Sequence, residues 1–271
     1  NDFLLQSKRN SSHNLVYSPP RGIIVDRNQR VLAHNRPLFE LWLDRTRIPE
    51  STTPNLFLQS LNLPPMITVG DPEDLPIDQA SFPVDSDTRY ETGLAYRAFV
   101  FEHPEFFVRV QPERIYPYGK SLSHFIGYVG LASDDEWDTI RRDDSLALVT
   151  EKIGKTGMEK EFELILKGER GVTSIETNAL GEAIRVIEEQ EPTSRGIVRV
   201  TIDAELQQES FEVLESAIHS NSGSGGVVLV SNIKTGEIIT LASSPSYDNN
   251  FFSQKNIIGI RRTLNDESLP L

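Results

Sequence analysis

The chain has 271 residues, 38% of them hydrophobic, with a formal net charge of −13 and no cysteine. That length suffices for one large domain or two, and a surface so acidic repels phosphate backbones and anionic headgroups, which argues against nucleic acid as a partner. The missing cysteines remove disulfides, thiolate metal sites and thiol nucleophiles together.

No apolar run approaches the ~20 residues of a membrane-spanning helix; the scrap Phe3, Leu4, Leu5 is too short to span anything. The first residue is Asn, and Met66 and Met158 are the only methionines, so the chain reads as processed or trimmed, with any anchor upstream. Gly22 to Val25 and Val31 to Ala33 are β-prone runs around the polar turn Asp26, Arg27, Asn28, Gln29, a hairpin pattern. Residues 37–44 follow as a strand with Phe39, Leu41 and Leu43 alternating on one face. From about 46 to 112 prolines at 49, 54, 64, 65, 72, 76 and 83 leave room only for short elements, which predicts a small irregular lobe. Acidic residues bunch at 71–91 and 134–144 and read as solvated faces.

Regular structure returns after Arg114. Ser133 to Glu136 has capping-box spacing, with Trp137 and Ile140 at helical intervals. Thr156 to Glu159 is a second such box, in which Glu159 caps its own helix; Met158, Phe162, Ile165 and Leu166 form the inward stripe and Gly168 the stop. Ile197 to Val200 is a strand. Asp203 then caps a helix from Ala204 to about Ser220 whose inward residues are Leu206, Phe211, Leu214 and Ile218. After a Ser/Asn/Gly connection, residues 227–231 and 237–243 form a hairpin around a loop at 232–236. Strand, helix and hairpin in this order are the opening of a helix-backed antiparallel sheet.

Serine catalysis through Ser-x-x-Lys needs both residues one turn apart at a helix start, so that the lysine can take the hydroxyl proton. The one such pair, Ser231 and Lys234, falls on a strand end and a hairpin loop, where that geometry fails. The Lys-Thr-Gly triplets at 155–157 and 234–236 read as a helix lead-in and a turn, and Ser12, His13, Asn14 as an accidental Ser-x-Asn. The five histidines show no His-x-x-x-His spacing, and no phosphate-binding glycine loop or nucleophile elbow is present. No catalytic residue, cofactor or metal site is expected.

Three segments in register carry a likeness. The first runs from Arg21 and Gly22 through Asp26 and Arg27 to Asn35. The second holds Arg114, Tyr116, Pro117 and Gly119, then His124, Gly127, Tyr128 and Gly130. The third holds Gly154, Gly157 and Glu159, then Phe162, Leu166, Gly168 and Gly171. In this order they resemble the motifs of the non-penicillin-binding module of class B penicillin-binding proteins. Thr201 to Asp203 with Leu206 and Gln207 resemble the entry to that family's transpeptidase domain, and Gly225 to Val228, Thr235 to Glu237 and Ala242 to Phe251 resemble its first hairpin and following loop.

The resemblance implies an α+β chain. Residues 1–196 would be an elongated pedestal of hairpins and short helices with a small irregular head lobe at about 46–112. Residues 197–271 would be the incomplete start of the transpeptidase domain, ending ahead of the family's catalytic Ser-x-x-Lys helix. The motif residues would then be structural or interaction residues in a chain inactive alone.

The parent would be a D,D-transpeptidase of cell elongation, on the extracytoplasmic (periplasmic) face of the bacterial cytoplasmic membrane. It would cross-link peptidoglycan stem peptides through an acyl-serine that β-lactams trap. Its implied partners are a SEDS-type glycosyltransferase (RodA-like), an MreC-like scaffold and the peptidoglycan or lipid-linked precursor. The wording of residues 244–248 favours the penicillin-binding protein 2 branch, with the division-type branch less similar. Two other readings stay open: an enzyme with Ser231 as nucleophile, and an unrelated α+β binding domain with Arg21, Asp26 and Arg114 scattered over its surface. An incomplete sheet leaves edges exposed, so residues 197–271 are expected to be either mobile or covered by packing.

Overall fold

The computed structural model describes residues 12–49, 52–61, 63, 81–143, 152–177, 183–254 and 256–265. The scrap at 3–5, the acidic residues 71–78 and the stretch after Asn265 lie outside them. Helices and strands mix throughout, an α+β fold, and the chain divides into two compact units. One comprises the described residues of Asn1–Asn35 and Arg114–Leu271, the other Arg36–Glu113.

In the first unit the expected hairpin forms from β2 (Ile23–Val25) and the start of β3 (Val31–Asp44), joined antiparallel with Ile24 opposite Ala33. Asp26 makes the turn, its Oδ1 accepting the backbone N–H of Asn28 and of Arg30, both at 2.7 Å. The strand β10 (Ile197–Arg199) adds to β2 in parallel. Behind this small sheet Ile24, Leu32, Tyr116, Ile126, Leu166, Val198 and Ile202 form one buried cluster.

The helix Ala204–Ser220 starts as predicted, with Asp203 accepting from the N–H of Leu206 at 3.3 Å. Its buried stripe, however, is Ala204, Gln207, Phe211 and Leu214, whereas Leu206 is exposed. Spacings of three and four from 204 to 214 keep one face turned inward, and Leu206 is off that register. The hairpin β11 (Gly226–Ser231) and β12 (Ile238–Ser244) packs Val228 and Ala242 against Phe211 and Leu214. Val227 and Leu229, on the other face of β11, are exposed.

Three elements carry no strand signal strong enough to stand out in the sequence. β1 (Ser12–Tyr17), β8 (Gly171–Thr177) and β9 (Ala183–Gln190) make a three-stranded antiparallel sheet in the order β1–β8–β9, and the short strands β6 (Val129–Leu131) and β7 (Lys152–Gly154) pair antiparallel with each other.

The second unit corrects the expectation of an irregular lobe. The remainder of β3 pairs antiparallel with β4 (Ser81–Asp87), β3 also pairs with β5 (Phe106–Ile115), and the helices Pro54–Ser60 and Tyr90–Glu102 supply further core residues. After Pro83 no proline recurs until Pro104, which leaves room for a 13-residue helix. Leu41, Leu43, Phe82, Val84, Tyr96, Phe99 and Phe106 are its buried core, with Phe99 and Phe106 edge-on at 5.1 Å.

Candidate functional site

Arg21 leaves the Pro19–Pro20 segment just ahead of β2, and Arg114 lies near the end of β5. Glu159 sits on the short helix Gly157–Glu161. Folding brings the three together in the first unit, all buried, with Glu159 fully so. Arg21 donates through Nε to Glu159 Oε2 at 3.1 Å and through Nη2 to the Glu159 carbonyl at 3.3 Å. Arg114 Nε donates to Glu159 Oε1 at 2.7 Å, and its Nη1 to the Gly22 carbonyl at 2.7 Å. Glu163 closes the ring: it takes Arg21 Nη2 at 2.8 Å and the backbone N–H of Gly154 at 2.9 Å.

Each of the three likeness segments thus contributes charges to one buried node. Two guanidinium groups face two carboxylates, so the charge is matched and the carboxylate oxygens of Glu159 are hydrogen-bonded, the condition under which buried ions are tolerated. Burial works against the charge on Arg21, but the carboxylates of Glu159 and Glu163 outweigh it and raise its pKa. Burial, reinforced by the Glu159 charge, raises the Tyr116 phenol well above its usual value.

This arrangement corrects the reading of Glu159 as the cap of its own helix. Its carboxylate points to the arginines, and Thr156 makes no side-chain cap either. The expected single helix is also divided, into Gly157–Glu161 and Glu163–Leu166, and Ile165 is exposed where it was expected inside.

The other motif residues are placed as follows. Asp26 is fully buried and its Oδ2 accepts the N–H of Ala204 at 3.1 Å, tying the first turn to the start of the Ala204 helix. Arg27 is partly exposed and 3.5 Å from Glu237. Gly22 donates its N–H to the Leu166 carbonyl at 2.7 Å. Gly127 (φ +74°) and Gly157 (φ +57°) pack against each other's segments, where a Cβ on Gly127 would strike the Thr156 carbonyl. Gly154, Gly168 and Gly171 are close-approach positions against Glu159, Thr193 and Pro192 respectively. Pro117 is exposed in the turn after β5.

His124 and Gly119 meet the loop 244–253 that follows β12. The His124 ring nitrogen Nε2 is 3.1 Å from the Pro245 carbonyl, and Gly119 faces the Asp248 carboxylate. Around them the loop reads main chain of the second likeness segment. Asn250 Oδ1 accepts the N–H of Tyr116 and its Nδ2 donates to the Tyr116 carbonyl, both at 2.9 Å. The fully buried Asn249 donates to the Gly127 carbonyl at 2.9 Å. Ser246 Oγ donates to the Lys120 carbonyl at 2.6 Å and lies 2.7 Å from Ser123 Oγ. Tyr247 meets His124, Tyr128 and Phe252 edge-on, while Tyr128 and Phe252 stack at 3.9 Å. Burial pushes the Tyr247 phenol up to about 12.

Gln207, overlooked because a polar residue does not count toward an apolar stripe, is fully buried. It donates Nε2 to the Leu241 carbonyl at 2.9 Å and to the Ser121 carbonyl at 2.5 Å, and accepts from the Leu241 N–H at 2.8 Å. The 3.6-residue spacing from Ala204 to Phe211 would have marked its position.

The Glu159 oxygens are occupied and out of water's reach. Ser231 ends β11 and Lys234 lies exposed in the turn, with its N–H on Asn232 Oδ1 at 3.0 Å, so no helix turn brings them together. Lys155 pairs with Glu136 at 2.5 Å. Among the described residues no helix is long and apolar enough to cross a membrane.

A sequence profile described as the penicillin-binding protein dimerisation domain matches residues 16–197. Peptidoglycan D,D-transpeptidase MrdA of Escherichia coli (strain K12) is 30% identical over 283 residues, covering 100% of this chain and 42% of that protein. The chain therefore spans less than half the length of that relative. A complex between penicillin-binding protein PBP2 and MreC from Helicobacter pylori contains a chain that superposes with a TM-score of 0.68 at 25% identity, over 96% of this chain and 48% of that one. A peptidoglycan synthase complex, described as coordinating polymerization and crosslinking, gives a TM-score of 0.64 at 25% identity, over 99% and 47%. These matches remove the reading as an unrelated binding domain.

Proposed function

We propose a function from one premise: the chain belongs to the penicillin-binding protein dimerisation-domain family. It serves as the pedestal and partner-binding part of a peptidoglycan D,D-transpeptidase of cell elongation. In that setting it stands on the outer face of the bacterial cytoplasmic membrane and carries the transpeptidase domain. Its partners there are an MreC-like scaffold and a RodA-like glycosyltransferase. The peptidoglycan precursor and β-lactams belong to the transpeptidase, not to this stretch.

The observation that carries the reading is the convergence of all three likeness segments on the buried Arg21–Glu159–Arg114 node. Residues kept for substrate would face a cleft; these are spent on holding strands and short helices in register. The Ser231 and Lys234 geometry supports the same view, since a hydroxyl on a strand end has no lysine one helical turn away to deprotonate it. The similarity to MrdA and to PBP2 favours the elongation branch.

Intact-mass spectrometry of the chain after incubation with excess penicillin tests this directly. An unchanged mass is expected. A stable penicilloyl adduct would overturn the non-catalytic reading, and peptide mapping would identify the acylated hydroxyl.

A further inference from the structure

The loop 244–253 and the segment 116–128 are over 100 residues apart in sequence, yet side chains of each address main-chain groups of the other. Asn250 takes both the N–H and the carbonyl of Tyr116, as a neighbouring strand would. Asn249 takes the Gly127 carbonyl, Ser246 the Lys120 carbonyl, and Tyr247 Oη approaches the Ser123 carbonyl at 3.4 Å. From the next segment of the same unit, Lys152 Nζ donates to the carbonyl of Ser253.

Tyr116, Ser123, Tyr247 and Asn249 are all buried. If the loop lifted part-way, several of these polar groups would be left buried without partners at once, each at a penalty larger than the hydrogen bond is worth. Partial opening is therefore disfavoured against fully closed or fully released, which is the condition for a two-state element.

We propose that the loop 244–253 is a latch. It closes as one cooperative unit, its short helix Asn250–Ser253 included, with residues 116–128, and it sets the position of the helix Ile257–Leu264 that follows. Any partner that grips residues 116–128 changes the latch equilibrium and so acts on that helix. Because linkage is reciprocal, a load on the helix acts equally on partner affinity. The mechanical coupling stands on the geometry alone; its bearing on cross-linking rests on the proposed function.

Native-state hydrogen exchange of the chain, read by mass spectrometry at peptide level, tests the latch. In Asn250→Ala, exchange is expected to rise together, by about tenfold or more, in peptides covering 116–128 and 244–253. The sheet β1–β8–β9 and the unit Arg36–Glu113 should keep their rates. Asn250→Asp, which keeps the acceptor for Tyr116 N–H and loses the donor, should show the same pattern more weakly and covers the case in which the alanine variant fails to fold. A rise confined to the peptide that carries Tyr116, with 244–253 unchanged, would overturn the proposal, making Asn250 a local cap. A uniform rise through the whole first unit would also overturn it, because the latch would then have no opening of its own. Penicillin labelling is untouched by either result, so failure of the latch and failure of the non-catalytic reading are separately visible.

Discussion

The two compact units solve the folding problem with different materials. The first sets charged and polar groups beside its apolar cluster: Glu159 is fully buried between two arginines, Asp26 is fully buried beneath a turn, and Gln207 is fully buried in a helix. The second is held mainly by apolar and aromatic contact among Leu41, Leu43, Phe82, Tyr96, Phe99 and Phe106; it buries Glu113 too, but against Arg36, whose side chain is exposed, and its Arg89–Asp87 pair lies at the surface. An apolar core tolerates exchange of one shape for a similar one. A buried ion node does not, since removing one partner strands the charge of the other.

Glu159→Ala breaks the contrast hardest. It leaves Arg21 with Glu163 and strips the buried Arg114 of its Glu159 carboxylate, and a loss of about 3–5 kcal/mol is expected in the first unit. Trp42 lies in the second unit and Trp137 in the first. Urea unfolding followed by the fluorescence of Trp137 in a Trp42→Phe background should show the loss, while Trp42 in a Trp137→Phe background should show little. Equal shifts at both tryptophans would mean that the units do not unfold separately.

Leu41→Ala is the reciprocal experiment. Leu41 is fully buried in the apolar unit, and its truncation should cost about 2–5 kcal/mol, read by Trp42 and not by Trp137. Leu41→Met, close in volume, should recover most of it. No comparable rescue is expected for Glu159→Gln, because an amide cannot neutralise two guanidinium groups.

The same contrast governs what could be read from the sequence. The β2–β3 hairpin, the Asp203 cap and the β11–β12 hairpin were legible because their signals are local: turn residues, a cap and alternation within a few positions. The helix Tyr90–Glu102 was not. It buries Tyr96 and Phe99 yet exposes Tyr90, Leu94 and Phe101, so apolar residues surround it and no stripe stands out. Glu159 was assigned a local task by its capping-box spacing, while its true partners, Arg114 and Arg21, lie 45 and 138 positions away. Asn250 and Gln207 are polar residues whose partners are remote main-chain groups, and neither spacing nor residue type announces that.

A surface pair sharpens the comparison from its weak end. Glu136 accepts from Lys155 Nζ and from the backbone N–H and hydroxyl of Ser133, and these, the lysine first, lower its pKa from 4.5 to about 2. The Ser133 contact is the returning half of the expected capping box, with Glu136 reaching back to the Ser133 N–H and the Ser133 hydroxyl donating to the same carboxylate. A depressed carboxylate pKa stabilises the fold above the unfolded value, here about 4.5, and that contribution is lost as pH falls towards 2. Both side chains are partly in solvent, at 22% and 35% exposure, so solvent screening should hold the pair to about 1 kcal/mol at most. Nuclear magnetic resonance titration of the Glu136 carboxyl should give a midpoint of about 2, moving up towards 4.5 in Lys155→Met. An unmoved midpoint in that variant would mean that Ser133 alone holds the carboxylate. High salt should erode this pair while leaving the Arg21–Glu159–Arg114 node intact, because mobile ions reach the first and not the second.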